Sequence, residues 1–212
     1  MSHKITDLEQ TLPPVTGSHV ASPQITQRVL KEHADFKNKT EDNPAIYPNL
    51  DKYWSYTVPN WQDWTPTGTP WSAAYISWIL KPTGFPKDAG HSFYSEKIIK
   101  GEGGNWAAYS IPKTNQLKLH VGDVLVKPRS GSYTSSHGDV VYMIQDGEAL
   151  LSGGNVGNTA KLVKSIKVDD NGVVLDRIDD YKIILKKKGT STSMIIPLVA
   201  ILGGVLIWTM KK

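Results

Sequence analysis

Apolar positions along the chain fall into two regimes. Over residues 22–36, 71–80 and 92–100 they suit helix faces, and after the Gly101–Gly104 break they gather into short blocks that suit strands. Ser22-Pro23 reads as a helix N-cap with Pro at the first helical position, followed by Ile25, Val29, Leu30, Ala34 and Phe36 as one apolar face. Residues 38–70 are rich in Pro, Asn, Asp and aromatics and predict an irregular ordered segment laid over the core, an unusual length that often marks a functional surface. A second helix is expected over Trp71–Leu80, introduced by Pro70 and stopped by Pro82-Thr83-Gly84, and a shorter third one over Ser92–Lys100. Strands are expected at Val121–Pro128, His137–Ile144, Glu148–Asn155, 161–168 and 181–186, with Gln145-Asp146-Gly147 as a hairpin turn. Helices first and an antiparallel meander afterwards is an α+β order.

One apolar block has another character. Met194–Met210 is uncharged over 17 residues, with Thr209 its one clearly polar side chain, and lysines bracket it on both sides. A helix of this length rises roughly 26 Å, near the lower limit for crossing a bilayer core. Gly203-Gly204 and Pro197 weaken a soluble helix but are tolerated in lipid. The expected organisation is a flexible N-terminal arm (1–21), one α+β domain (22–185), a basic stem (186–193) and a transmembrane helix (194–210). The N-terminal MSHKITDLEQ is polar and resembles no secretory signal, so the domain is expected on the cytoplasmic side, or in a virion membrane.

This organisation changes how the charge is read. The chain has 24 basic and 20 acidic residues, but residues 181–212 hold six lysines and no acid. The rest is slightly acidic, which argues against nucleic acid as a partner, whereas lysines beside an apolar span suit anionic head groups. A lipid bilayer is therefore the first expected partner. The chain has no cysteine, which excludes disulfides and a thiol nucleophile. Its six histidines show no metal-ligand spacing, and SGGNVGN has neither the lysine nor the following helix of a phosphate loop, so no metal or cofactor is expected.

Candidate chemistry comes from an ordered set of motifs. Tyr53-Trp54, Pro70-Trp71-Ser72-Ala73-Ala74-Tyr75-Ile76-Ser77-Trp78, Gly84-Phe85 and His91-Ser92-Phe93-Tyr94 come first. Gly122-Asp123, Arg129, His137-Gly138-Asp139-Val140-Val141 and Gly153-Gly154-Asn155 follow. In content and order they resemble an uncharacterised bacterial and phage family with a PWSAAFISW signature, over roughly residues 23–165. That family is similar in layout to the NlpC-type and CHAP peptidases, papain-like enzymes that cleave peptide bonds of bacterial cell walls. The resemblance implies a papain-like fold, with the catalytic Cys position on Ser72, the His on His137 and the polar orienter on Asn155 (or Ser152). Asp139, two residues from His137 on the same strand face, competes for that third place. Trp71, His91, Tyr94 and Trp64 are the expected substrate-binding residues, Trp64 and Trp61 as walls of a groove for sugar or peptide.

Each residue also has a plainer reading. Ser72 suits an N-cap or a small residue beneath Trp71, His137 an ordinary hydrogen-bonded strand histidine, and Asp139 a salt-bridged edge carboxylate. Gly153-Gly154-Asn155 suits a turn with positive φ angles. Three functions follow. The first is a membrane-anchored hydrolase or amidase acting on cell-wall peptide. The second is an inactive wall-binding module of the same fold, recognising peptide or glycan. The third is a structural membrane protein linking a virion membrane to capsid proteins.

Overall fold

In the computed structural model the first apolar stripe becomes helix α1 (Gln24–Asp35), which buries Ile25 and Val29, with Phe36 buried just past its end. The structure describes residues 12, 13, 15, 18–61, 64, 65, 67–112, 117–129, 132–178 and 180–189, with backbone alone at 132–134. Leu30 and Ala34, expected on the same face, are exposed, because the next inward position belongs to Glu32. Nor does the Ser22 side chain cap the helix: Pro23 is the N-cap, and the Ser22 carbonyl accepts from the Ile25 amide at 2.9 Å.

The segment expected to be irregular holds a second helix. A short 3-10 turn (Pro44–Ile46) leads into α2 (Tyr47–Thr57). Pro48 lies in the first turn, where its missing amide costs nothing. Asn49, Leu50, Tyr53 and Trp54 form the buried side. Glu32 of α1 is the reason α2 docks here. It is buried, and accepts from Asn49 Nδ2 at 2.8 Å, Lys52 Nζ at 2.7 Å and the Tyr53 hydroxyl. Three donors from one helix satisfy a carboxylate that burial would otherwise penalise.

The expected second and third helices appear as α3 (Ser72–Ile79) and α4 (His91–Ile99). Seven of the eight residues of α3 are buried, so neighbours surround it on nearly every side. Six strands follow: β1 (Trp106–Ser110), β2 (Val124–Arg129), β3 (Ser132–Gln145), β4 (Glu148–Gly153), β5 (Lys161–Lys167) and β6 (Ile183–Lys187). They form one antiparallel sheet of order β1-β6-β2-β3-β4-β5. β1 was not expected, since its WAAYS run has two alanines, a poor strand former. Asp146 (φ +52°) and Gly147 (φ +75°) both take left-handed conformations between β3 and β4, the requirement of a two-residue type I′ hairpin.

Four helices pack on one face of the sheet, against Val124, Val126, Val140, Tyr142, Ile183 and Leu185. On the other face Leu125, Val141, Leu151 and Ile184 meet Leu117, Leu119, Val174 and Tyr181 from connecting segments. The fold is α+β.

The expected domain boundaries move outward. Lys186, assigned to the stem, is fully buried in β6, where its ammonium bonds Asp123 and the Lys118 carbonyl (3.0 Å). His19 pairs with Lys188, and the Gly189 amide donates to the Ser18 carbonyl at 2.7 Å. Residues 18–21 of the arm and 186–189 of the stem thus belong to the folded unit. The apolar span at 194–210 lies outside the described residues; among those described, no helix is long and apolar enough to cross a membrane.

Candidate active site

Trp71 fixes where α3 begins. Its indole stacks on Phe36 and Tyr53, with centroids 5.2 and 6.0 Å away, and its Nε1 donates to Glu41 Oε2 at 2.8 Å. Held this way, Trp71 sets Ser72 as the first residue of α3, where the leading amides have no carbonyl of their own helix to bond. The positive end of the helix therefore faces Ser72. Because Trp71 is fully buried, it is a structural anchor and not the substrate contact expected of it.

Strand β3 brings a histidine beside Ser72. His137 Nδ1 lies 3.1 Å from Ser72 Oγ, and its Nε2 lies 3.0 Å from Asp139 Oδ1. Asp139 is completely buried, and its other oxygen accepts from the Tyr181 hydroxyl at 2.7 Å and faces Lys127 Nζ at 3.5 Å. Burial pushes the Asp139 carboxyl up. The hydrogen bonds from His137 and the Tyr181 hydroxyl, with the Lys127 ammonium, outweigh it and hold the group below its ordinary range. Burial and the Asp139 charge push the Tyr181 phenol far up, so it remains a donor. An ionised Asp139 accepts only, which fixes the His137 proton on Nε2 and leaves Nδ1 bare toward Ser72. Ser72, His137 and Asp139 thus form one hydrogen-bonded line, the arrangement that a nucleophile, a base and its orienter require.

The group on the second His137 nitrogen is Asp139 and not Asn155. Asn155 follows β4 in a left-handed conformation (φ +56°), and the His137 nitrogen it was to orient is taken. Ser152, the alternative, bonds the Tyr75 hydroxyl at 2.7 Å and His33 Nε2 at 2.8 Å. The two glycines before Asn155 are needed for clearance: a Cβ on Gly153 would strike Asp139 Oδ1, and one on Gly154 would sit 2.6 Å from Tyr75 Cβ.

His91 and Tyr94, expected to touch substrate, are inside the site. His91 Nε2 is 2.8 Å from Ser72 Oγ, and its Nδ1 bonds the Tyr94 hydroxyl. Burial above all holds His91 well below the ordinary histidine range, so it is neutral. The turn carrying His91 is tied to α3: Ser77 Oγ donates to the Asp88 carbonyl at 2.8 Å and accepts from the Asp88 amide at 3.0 Å.

No protein-family model and no curated protein matches this chain. Its chemistry therefore has to be read from the site itself.

Two clefts adjoin this region in sequence. One, about 510 Å³, is walled by Trp54, Val58, Trp61, Thr69, Pro70 and Ala89, and so includes residues two positions before Ser72 and before His91. The other, about 590 Å³ and more polar, lies between Trp64, Trp61, Asp51, Ser55 and Asn60. Trp64 is half-buried and meets Tyr47 edge-on, leaving part of its ring on the cleft. Sequence reasoning missed Tyr181 and Lys127, and placed Arg129 in a motif without a role. Arg129, exposed at the end of β2, brings Nη2 to 3.1 Å from His137 Nδ1. Among the described residues no group of three His, Asp or Glu side chains gathers as a metal site.

Proposed function

We propose that the chain is a membrane-anchored serine hydrolase of papain-like layout, acting on amide or peptide bonds of bacterial cell-wall peptide. The observation that carries this reading is the continuous line from Ser72 Oγ through both His137 nitrogens to Asp139. Ser72 attacks the carbonyl carbon while His137 Nδ1 takes its proton. Asp139 holds the tautomer and balances the imidazolium, and the leading amides of α3 stabilise the oxyanion. His137 then returns the proton to the leaving amine, and water repeats the cycle on the acyl ester. The wall-peptide substrate is supported by the motif resemblance, and the bilayer by the apolar run at 194–210.

The test is release of soluble peptide from purified peptidoglycan. Ser72→Ala and His137→Ala should each abolish release, with non-additive losses. Asp139→Asn should lower it by about three to four orders of magnitude by presenting the wrong tautomer. Ser72→Cys should keep or raise it, since a thiol at a helix N-terminus beside a histidine ionises readily. Release that is unchanged in Ser72→Ala would end this reading.

A second reading is favoured by burial: Ser72 is 7 % and His137 3 % exposed, a closed site. The same fold then serves as a wall-binding module, and pull-down by peptidoglycan without peptide release is its signature.

A further inference from the structure

Ser72 Oγ has a partner that a nucleophile and base alone do not require. His91 Nε2 stands 2.8 Å from it, closer than His137 Nδ1 at 3.1 Å. The proton positions follow from the ionised Asp139. Because Asp139 can only accept, His137 carries its proton on Nε2, and its bare Nδ1 takes the Ser72 hydroxyl proton. Ser72 Oγ then accepts, and the N–H of His91 Nε2 faces it as a donor. A neutral His91 protonated there has a bare Nδ1, which the Tyr94 hydroxyl fills. Tyr94, His91, Ser72, His137 and Asp139 thus form a directed chain in which every proton is used once. Exposed Arg129 competes for His137 Nδ1 at 3.1 Å and has to turn away before Ser72 can pass on its proton.

Building on the hydrolase reading, we propose that His91 is a further catalytic residue. Its Nε2–H stabilises the negative charge that gathers on Ser72 Oγ as the proton leaves for His137, a service an alcohol needs and a thiol does not. A hydroxyl is a much weaker acid than a thiol, so a helix N-terminus and one base activate it poorly. In the attack the Oγ–C bond forms, the carbonyl π pair moves onto oxygen and the proton goes to His137. His91 transfers no proton.

Two independent features hold this arm. A Cβ on Gly138 would lie 2.5 Å from the Tyr94 hydroxyl and 2.9 Å from His91 Nδ1, so the glycine between His137 and Asp139 is what lets the pair sit against β3. The other is the tie between Ser77 and Asp88, which fixes the turn before His91 onto the helix that carries the nucleophile. The charges facing His91 are His137 and Arg129, which oppose its protonation together with burial, and Asp139, which favours it. The net result keeps His91 neutral, so His91 adds no charge of its own beside the His137 imidazolium.

The test needs no natural substrate. The full chain in nonionic detergent is treated with an alkyl fluorophosphonate, and the Ser72 peptide is quantified by mass. In this reaction the Oγ–P bond forms, fluoride leaves and His137 takes the proton. His91→Leu should label about 100-fold more slowly than the native chain. His91→Gln, which restores an N–H, should come within about fivefold. In a Ser72→Cys background, alkylation by iodoacetamide should differ by less than about threefold with and without His91→Leu, because the thiolate does not need the donor. Equal labelling of His91→Leu and the native chain overturns the proposal. So does an equal slowing of hydroxyl and thiol chemistry, since that is a packing effect. No label on the native Ser72, whatever the thiol does, sinks the hydrolase reading itself and this role with it.

Discussion

Adding one methyl group at Gly138 should unsettle the site from behind. The Cβ would lie 2.5 Å from the Tyr94 hydroxyl oxygen and 2.9 Å from His91 Nδ1, and neither can retreat, since Tyr94 is wholly buried and His91 nearly so. Forcing a methyl into a packed interior costs about 1–3 kcal/mol. Pushing the hydroxyl off His91 loses a buried hydrogen bond worth about 1 kcal/mol. Gly138→Ala should therefore lose about 2–4 kcal/mol, which at about 2–4 °C per kcal/mol for a domain of this size lowers the melting temperature by about 4–16 °C. Tyr94→Phe removes the nearest clashing atom. In the double variant the methyl should cost at least about 1 kcal/mol less than it does alone. Urea unfolding of the four chains, followed by circular dichroism, measures the cycle. A Gly138→Ala midpoint equal to the native one, or strictly additive losses, would refute the reasoning.

The buried ion pair and the titrating groups give two more expectations. Lys186→Met leaves Asp123 without its ammonium inside the domain and should cost about 3–5 kcal/mol, whereas Lys186→Met with Asp123→Asn should recover most of it; a double variant no better than the single rules the pairing out. Stability should also fall with pH in two stages. Burial holds His91 and His33 below the ordinary histidine value of 6.5, so the unfolded chain takes up those protons first. Their contribution is complete above 6.5 and declines below it at up to about 1.4 kcal/mol per pH unit for each proton. Asp139, held below the ordinary 3.8, contributes stability that is present above that value and lost as pH falls through its folded pKa. Urea midpoints that stay flat from pH 7 to about pH 5 would contradict the first stage.

The sequence was most legible where one element carries its own signal. In α3 an apolar run between two proline signals gave the helix to within a residue at each end. His137 and Asp139 could be paired because residues two apart on a strand share a face. What stayed hidden depends on distant partners. Helix α2 looked irregular because its docking group, Glu32, lies 17 to 21 positions before the residues that bond it. Tyr181 reaches Asp139 from 42 residues away, with no local pattern to announce it. Lys186 was lost in a run of three lysines, since only Asp123, 63 positions earlier, distinguishes it from its neighbours. Asn155 drew attention by residue type, but its backbone is left-handed and the His137 nitrogen it was to meet bonds Asp139.

The clasp just past the end of β6 also has a mechanical meaning. Gly189 stands two residues past the end of β6, which lies between β1 and β2 and not at a margin of the sheet. The segment just past β6 is clasped by residues 18–20 through the His19–Lys188 bridge and the bonds of Val20 and Gly189. A tug on the chain beyond Gly189 therefore loads a strand with neighbours on both sides, where many hydrogen bonds share the force, and does not peel a border strand away one rung at a time. The Lys186–Asp123 bond, just before that clasp, acts as a bolt that must shear before β6 can slide. A domain tethered through this end would transmit tension into the same sheet that holds His137 and Asp139.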